Sequence, residues 1–299
     1  MPMIMQNKRK ADFLARILGA TGYFSGKPRL ADFLGRLASS RNGVGIYPLP
    51  DGKTAAVDLS DRIQRLMWAA AYEPPVTRCL TALLRPGDTF IDVGAHIGYF
   101  SLIASSRVGP TGQVYAFEAN CDRFKELQAN AAAYPWLVCY SRAVWNKSGP
   151  IDFSNPQQLG ESGWGKVAAV RKEGHIVSVD AISLDEWHEI AGFPAIRAIK
   201  IDAEGSEPFI LEGMSRLISK TRPFLIVELN EQLLHEAGYS KDAVEKTIRD
   251  NQYRIFAMNS EGLEELSDSD GVMSPELLCL PVDRFEEAKA ALQRVLPMG

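Results

Sequence analysis

The sequence predicts an α/β fold: a doubly wound, mostly parallel sheet, preceded by an N-terminal helical and hairpin extension. Three observations predict it. From Phe90 onward, short apolar runs of strand length alternate with amphipathic segments, the pattern of βαβ units. Four of these runs finish on an acid, Asp92, Glu118, Asp202 or Glu228. The carboxyl ends of strands in an open parallel sheet form one ligand-facing edge. The first run also leads into Gly94 and Gly98, placed where a strand turns sharply into a helix.

Taken in order, residues 1 to about 45 read as helical, with Leu30–Leu37 as a second amphipathic piece. A polar break at Ser39–Asn42 precedes a hairpin over Gly45–Val57 that turns at Asp51-Gly52. Residues 61–84 read as helix interrupted at Pro74-Pro75. The expected core strands are Thr89–Val93, Gln113–Glu118, Leu137–Ser141, Ala198–Asp202 and Phe224–Glu228. The expected helices are Tyr99–Ser106, Cys121–Tyr134, Glu207–Gly213 extended to Lys220, and Lys241–Asn251. A segment from Ile151 to Val179 interrupts the alternation with a Gly160–Gly165 loop carrying Trp164 and a strand-like His175–Val179. Insertions of this kind sit at a sheet rim and often carry substrate contacts. Two further strands, Tyr253–Met258 and Glu276–Pro281, and an amphipathic helix from Arg284 to Leu296 complete the chain. No repeat or low-complexity tract is visible. The expected division is an extension over 1–84 and one large domain over 85–299.

The bulk composition excludes several classes. A net charge of −4 gives no overall electrostatic reason to expect nucleic acid or an anionic membrane. The four cysteines show no C-x-x-C spacing, which points to reduced thiols in a cytoplasmic protein rather than to disulfides or zinc. Lys8-Arg9-Lys10 resembles the start of a signal peptide, but Asp12 and Arg16 break the apolar stretch that follows. No uninterrupted apolar run is long enough to span a bilayer. Phe13, Ile17 and Leu18 fit one face of a short helix, for which a core-facing or partner-facing role is commoner than a peripheral membrane contact. A homo-oligomer is compatible with all of this.

The glycine turn narrows the ligand. A dinucleotide fingerprint reads G-x-G-x-x-G and binds a pyrophosphate. Here the spacing is G-x-x-x-G, and Asp92 stands just before it. That carboxylate disfavours a phosphate and favours a cationic ligand, as does S-adenosylmethionine (SAM) with its sulfonium and ammonium groups. No G-K-[ST] follows, which excludes a P-loop. A structural turn with no ligand is the competing reading. Glu118 comes about 20 residues later at a strand end, where an acid accepts from a ribose diol; its alternative is an ordinary cap on the following helix. The second acid-rich strand end, Ile199-Lys200-Ile201-Asp202-Ala203-Glu204-Gly205-Ser206-Glu207, adds carboxylates to the same edge. They bind SAM and a hydroxyl substrate, bind a divalent metal, or cap helices; for Glu207 capping fits well.

From about residue 55 to residue 260 the chain resembles the FkbM-type SAM-dependent methyltransferases, within the class I Rossmann-like methyltransferases. The residues that carry the likeness are Tyr72-Glu73-Pro74, Ile91 to Tyr99, Ala116-Phe117-Glu118-Ala119, Arg142-Ala143-Val144, Ile182 to Glu186, and Ile199 to Glu207. The K-I-D-x-E-G-x-E pattern in the last is the most specific. Family members often have Val where Ala203 stands and Asn where His96 stands. The resemblance implies an O-methyltransferase acting on a small-molecule hydroxyl of a secondary metabolite, sugar or lipid. It also implies a cofactor set of Glu73, Asp92, Gly94, Ala95, His96, Gly98, Tyr99, Glu118, Ala143, Val144 and Asp202. Asp92 would sit near the charged end of SAM, Glu118 on its ribose and Val144 beside its adenine.

Transfer to a hydroxyl needs a base within hydrogen-bond reach. Asp202 is the first candidate, then Glu204, with Glu228 beside them; His188 and His235 are weaker. Asp202 and Glu228 could together hold Mg²⁺, with no third ligand evident in the sequence. A nucleotide-dependent oxidoreductase on a Rossmann-like fold and a non-catalytic SAM-binding subunit are the rival functions.

Overall fold

The structure is a computed structural model. It describes residues 13, 17–19, 21, 26–39, 43–155, 166–167, 175–267 and 275–298. The Gly160–Gly165 loop with Trp164 lies outside the described residues.

The extension contains helix α1 (Lys27–Ser39), the antiparallel hairpin β1 (Val44–Pro48) and β2 (Thr54–Asp58), then α2 (Arg62–Trp68) and α3 (Pro74–Leu83). Pro74-Pro75 starts α3 rather than interrupting a longer helix, because proline has no N–H to lose in a first turn. The expected long helix therefore divides at residues 69–73. Asp61 caps α2 by accepting from the Gln64 amide at 3.0 Å.

The alternating part comprises β3 (Thr89–Val93), α4 (Tyr99–Val108), β4 (Gln113–Phe117), α5 (Cys121–Ala131), β5 (Leu137–Tyr140), β6 (Ala143–Val144), β7 (Gly149–Asn155), β8 (Lys166–Val167) and β9 (His175–Ile182). There follow α6 (Leu184–Ile190), β10 (Ala198–Ile201), α7 (Glu207–Glu212), α8 (Ser215–Thr221), β11 (Phe224–Glu228), α9 (Glu231–Glu236), α10 (Lys241–Asp250), β12 (Tyr253–Met258), β13 (Leu263–Glu265), β14 (Glu276–Pro281) and α11 (Phe285–Leu292). The expected helix from Glu207 to Lys220 is two helices. A Cβ on Gly213, between them, would fall 2.3 Å from the Trp145 carbonyl oxygen, so the chain crosses the end of β6 at close range there.

The main sheet has the order β13-β12-β14-β11-β10-β3-β4-β5. The five strands from β11 to β5 are parallel, and β14 is antiparallel between β11 and β12. Both faces are covered. Phe90 and Ala198 belong to an apolar cluster shared with α3, α4 and the extension; Ile91, Val93, Ile199 and Ile201 belong to a second one with α6 to α10. This period-two division explains the near-continuous apolar runs of the central strands. The extension is tied to the sheet side through Asn130 on α5. Its carboxamide oxygen accepts from the Ala56 amide at 2.8 Å, and its nitrogen donates to the Ala56 and Ile97 carbonyls. The interrupting segment forms a small sheet of order β6-β9-β7-β8. No helix among the described residues is long and apolar enough to cross a membrane, and all four cysteines are free thiols.

Candidate active site

The site is built on the exit from β3. Gly94 has φ +77°, and a Cβ there would lie 1.8 Å from the Asp202 carbonyl oxygen, so no other residue fits without moving that backbone. The amides of Gly94 and Ala95 both donate to the Phe117 carbonyl at 3.0 Å, which locks the turn to the end of β4. Gly98, at φ +92°, then begins α4.

Glu118, one residue past β4, is 8% exposed. Its two oxygens accept the backbone amides of His96 and Asn120, each at 2.7 Å. Burial still pushes this carboxyl up to about 7, against the stabilisation those two amides give the anion. Each oxygen keeps a lone pair free, and Glu118 lines a cavity of about 270 Å³ together with Gly94 and His96.

The far side of the cavity is a carboxylate cluster. Glu73, Asp202 and Glu228 present oxygens that all lie within 4.8 Å of one another. They come from the N-cap of α3, the residue after β10 and the end of β11. Glu73 takes a left-handed conformation (φ 39°) immediately before Pro74, a strained backbone for a non-glycine residue. Lys200 on β10 supplies the opposing charge. It is 3% exposed, and its Nζ donates to Asp202 Oδ2 at 2.7 Å while standing 4.9 Å from the Phe100 ring centroid. Burial alone would lower the Lys200 ammonium; the carboxylates of Asp202, Glu73, Asp92 and Glu228 outweigh it and raise it. The charge of Asp202, then burial, then Glu73 push Glu228 up to about 10. Burial, and secondarily Asp202, push Glu73 up to about 7 against the pull of Lys200.

Seven residues of the expected cofactor set line the cavity: Glu73, Gly94, His96, Glu118, Ala143, Val144 and Asp202. Asp92, Ala95, Gly98 and Tyr99 do not. Asp92 is 1% exposed, its Oδ2 accepts from the Ser101 hydroxyl at 2.5 Å, and burial raises its carboxyl. Its Oδ1 is buried without a hydrogen-bond partner among the described residues. Asp92 thus lies within the site's foundation, opposite Lys200 in the β3–β10 register. Tyr99 packs against Tyr47, Tyr72 and Phe100. The three candidate bases, Asp202, Glu204 and Glu228, all reach the cavity. His188 instead bonds the Pro194 carbonyl at 2.8 Å, and His235 is exposed on α9. Glu207 opens α7 without capping it: its carboxylate accepts from the Ala203 and Gly205 amides of the preceding turn at 2.9 and 3.3 Å, and no side chain caps the first amides of the helix. Tyr72 lines the cavity beside Glu73.

Sequence reasoning missed Arg123, Arg142, Phe153 and Asn230 in the lining, and the role of Lys200. Lys200 left a readable trace, since a lysine inside the apolar run Ala198–Ile201 has to find a counter-charge. Phe153 arrives from β7, so the interrupting segment does contribute to the cavity wall.

Comparison with known proteins now bears on this geometry. The model of the methyltransferase FkbM domain matches residues 92–255, from β3 into β12 and more than half of the chain. Hexuronic acid methyltransferase AglP of Haloferax volcanii is 32% identical over 192 residues, covering 61% of this chain and 76% of AglP. The 2-O-methyltransferase NoeI of Sinorhizobium fredii is 25% identical over 175 residues, covering 54% of this chain and 71% of NoeI. A solved FkbM methyltransferase from Methylobacillus flagellatus aligns at 16% identity and a TM-score of 0.41, over 73% of this chain and 53%, about half, of that one. With a family match spanning the strands that build the cavity, the chain belongs to the FkbM methyltransferase family and is a SAM-dependent methyltransferase.

Proposed function

We propose that the chain transfers the methyl group of SAM to a hydroxyl oxygen of a polyhydroxylated small molecule such as a sugar, with Asp202 as the base. The carrying observation is the Glu73–Asp202–Glu228 cluster at one side of the cavity, with Lys200 fixed to Asp202 at 2.7 Å. In this reading Glu118 holds the ribose diol, Ala143 and Val144 border the adenine, and the Gly94–His96 backbone faces the methionine portion. The acceptor hydroxyl then stands by Asp202. As the oxygen forms its bond to the methyl carbon and the sulfonium–methyl bond breaks, the hydroxyl proton passes to the Asp202 carboxylate and S-adenosylhomocysteine (SAH) leaves neutral at sulfur. Catalysis comes mainly from alignment and from holding the sulfonium out of water.

The electrostatics favour a neutral acceptor. The Asp202 and Glu204 carboxylates and the partly ionised Glu73 line that side, so an acceptor carboxylate would have to point away from them. Glu228, protonated at neutral pH, can donate to a neighbouring acceptor oxygen. Glu73 adds a third oxygen to the pair considered for Mg²⁺, but the Lys200 ammonium already engages Asp202. We therefore assign charge balance to Lys200, and activity abolished by EDTA and restored by Mg²⁺ would overturn that assignment. The function itself is tested by incubating the protein with methyl-labelled SAM and a panel of neutral glycans, glycolipids and amines. Label in an alkali-stable ether of a hydroxylated acceptor is expected; label appearing only on amines would refute O-methylation.

A further inference from the structure

The overall charge of −4 conceals an uneven distribution. The first 45 residues carry eight basic side chains against the acids Asp12 and Asp32, a local net of +6. Exposed large apolar side chains gather in the same part of the chain: Phe13, Ile17, Leu30, Phe33 and Val44. Helix α1 has its apolar residues the unusual way round. It turns its small residues inward, with Ala31 fully buried and Gly35 so close to Arg65 that a Cβ would lie 2.5 Å from Arg65 Cδ. Of its large residues only Leu34 packs against the core, half-buried, while Leu30, Phe33 and Leu37, at i, i+3 and i+7, are 39%, 58% and 59% exposed. A core-facing helix would do the reverse. Arg29 and Arg36 are exposed on the same helix.

We propose that this face of the extension docks on an anionic bilayer surface. Leu30 and Phe33 would enter the headgroup boundary, and the exposed Arg29 and Arg36 would face anionic headgroups, whereas Lys27 is buried and donates to the Thr21 carbonyl. Charge selects this occupant over a second copy, because a two-fold pair would set one net +6 segment against another. Docking also bears on the site. The Asp32 carboxylate of α1 accepts from Arg65 Nε on α2 at 2.8 Å, and Ile63 of α2 lines the cavity. The docked helix and the cavity therefore share one wall, which suits a hydroxyl acceptor carried by a lipid; that last step alone rests on the proposed function.

Flotation of the full chain with vesicles tests the docking. The chain is expected to float with phosphatidylcholine vesicles containing about one third phosphatidylglycerol, and roughly tenfold less with phosphatidylcholine alone or at high salt. A Leu30→Ser/Phe33→Ser double variant should lose about tenfold in vesicle binding while its SAH affinity, read by calorimetry, stays at the native value and reports an intact fold. Absence of native flotation on anionic vesicles at low salt would overturn the proposal. So would a double variant that floats as the native chain does, or a dimer that the double variant dissolves in a protein that never floats. Loss of SAH binding by the native chain would instead refute the methyltransferase reading and leave the flotation result standing.

Discussion

Replacing Lys200 by methionine removes the ammonium that donates to Asp202 in the carboxylate cluster and keeps an unbranched apolar stem beside Phe100. The native ammonium is 3% exposed and 2.7 Å from Asp202 Oδ2, with Glu73, Asp92 and Glu228 also acting on it. Removing one partner of a buried ion pair costs about 3–5 kcal/mol, because the other charge stays buried and unpaired. A domain has about 5–15 kcal/mol to lose, so Lys200→Met should fold but melt lower. At about 2 cal/mol/K of unfolding entropy per residue, a chain of this length loses about 1.5 °C per kcal/mol, or about 5–8 °C in total. The deficit should narrow at acid pH, where Glu73 takes up a proton and reduces the uncompensated charge. Lys200→Arg should recover part of the loss. Catalysis should suffer more than binding: kcat falls by about tenfold or more as Asp202 loses its fixed orientation, while SAH affinity changes by no more than about threefold. Scanning calorimetry at about pH 6 and 8, with SAH titration calorimetry and a labelled-methyl assay, measures all three. A Lys200→Met protein that melts within about 1 °C of the native chain at both pH values would refute the counter-ion role.

Other expectations follow from the same geometry. Glu118→Gln puts an amide nitrogen where a backbone N–H now donates, and it removes the charge from a ribose partner; SAH should bind about 10- to 100-fold more weakly, and unchanged affinity by calorimetry would contradict the ribose assignment. Stability should fall as pH rises. Glu73, Glu118 and Glu207 titrate at about 7 in the folded chain and Glu228 at about 10. Unfolded glutamates titrate near about 4.3, so the folded chain holds the extra protons through that window and loses stability as they leave. Thermal melts should therefore be higher at about pH 5.5 than at about pH 8.5, and a melting temperature that rises across that range would refute the raised carboxyls.

Much of the fold is legible because the central strands carry a strong signal. β3 and β11 run over the expected residues, since both are apolar, bounded by turn residues and carry an acid as the last residue or the one before it. Short helices are harder to see. α6 has seven residues and α9 six, too few for a 3.6-residue period to stand out, although Ser183 and Asn230 cap them. The antiparallel insertion of β14 between β11 and β12 leaves no mark in a strand that is apolar after its first residue, Glu276. At the site, the acids at strand ends were legible because the sheet brings strand ends together as a rule. The meeting of Glu73 with Asp202 and Glu228 was not: it depends on a left-handed residue before Pro74 that aims a side chain from the extension into the cluster. The sequence puts Asp92 near the charged end of the ligand, directly or through water, and gives no sign that its side chain is buried and that its Oδ2 accepts from Ser101 on α4.

In the proposed reaction Asp202 accepts the acceptor's proton while SAM is held by the neighbouring turn. Asp202→Asn tests it most directly, with SAH calorimetry and labelled-methyl transfer measured on one preparation. The predicted result is SAH affinity within about fivefold of native and a turnover lower by about 10²–10⁴. An Asp202→Asn protein that binds SAH and transfers methyl groups at the native rate would contradict it.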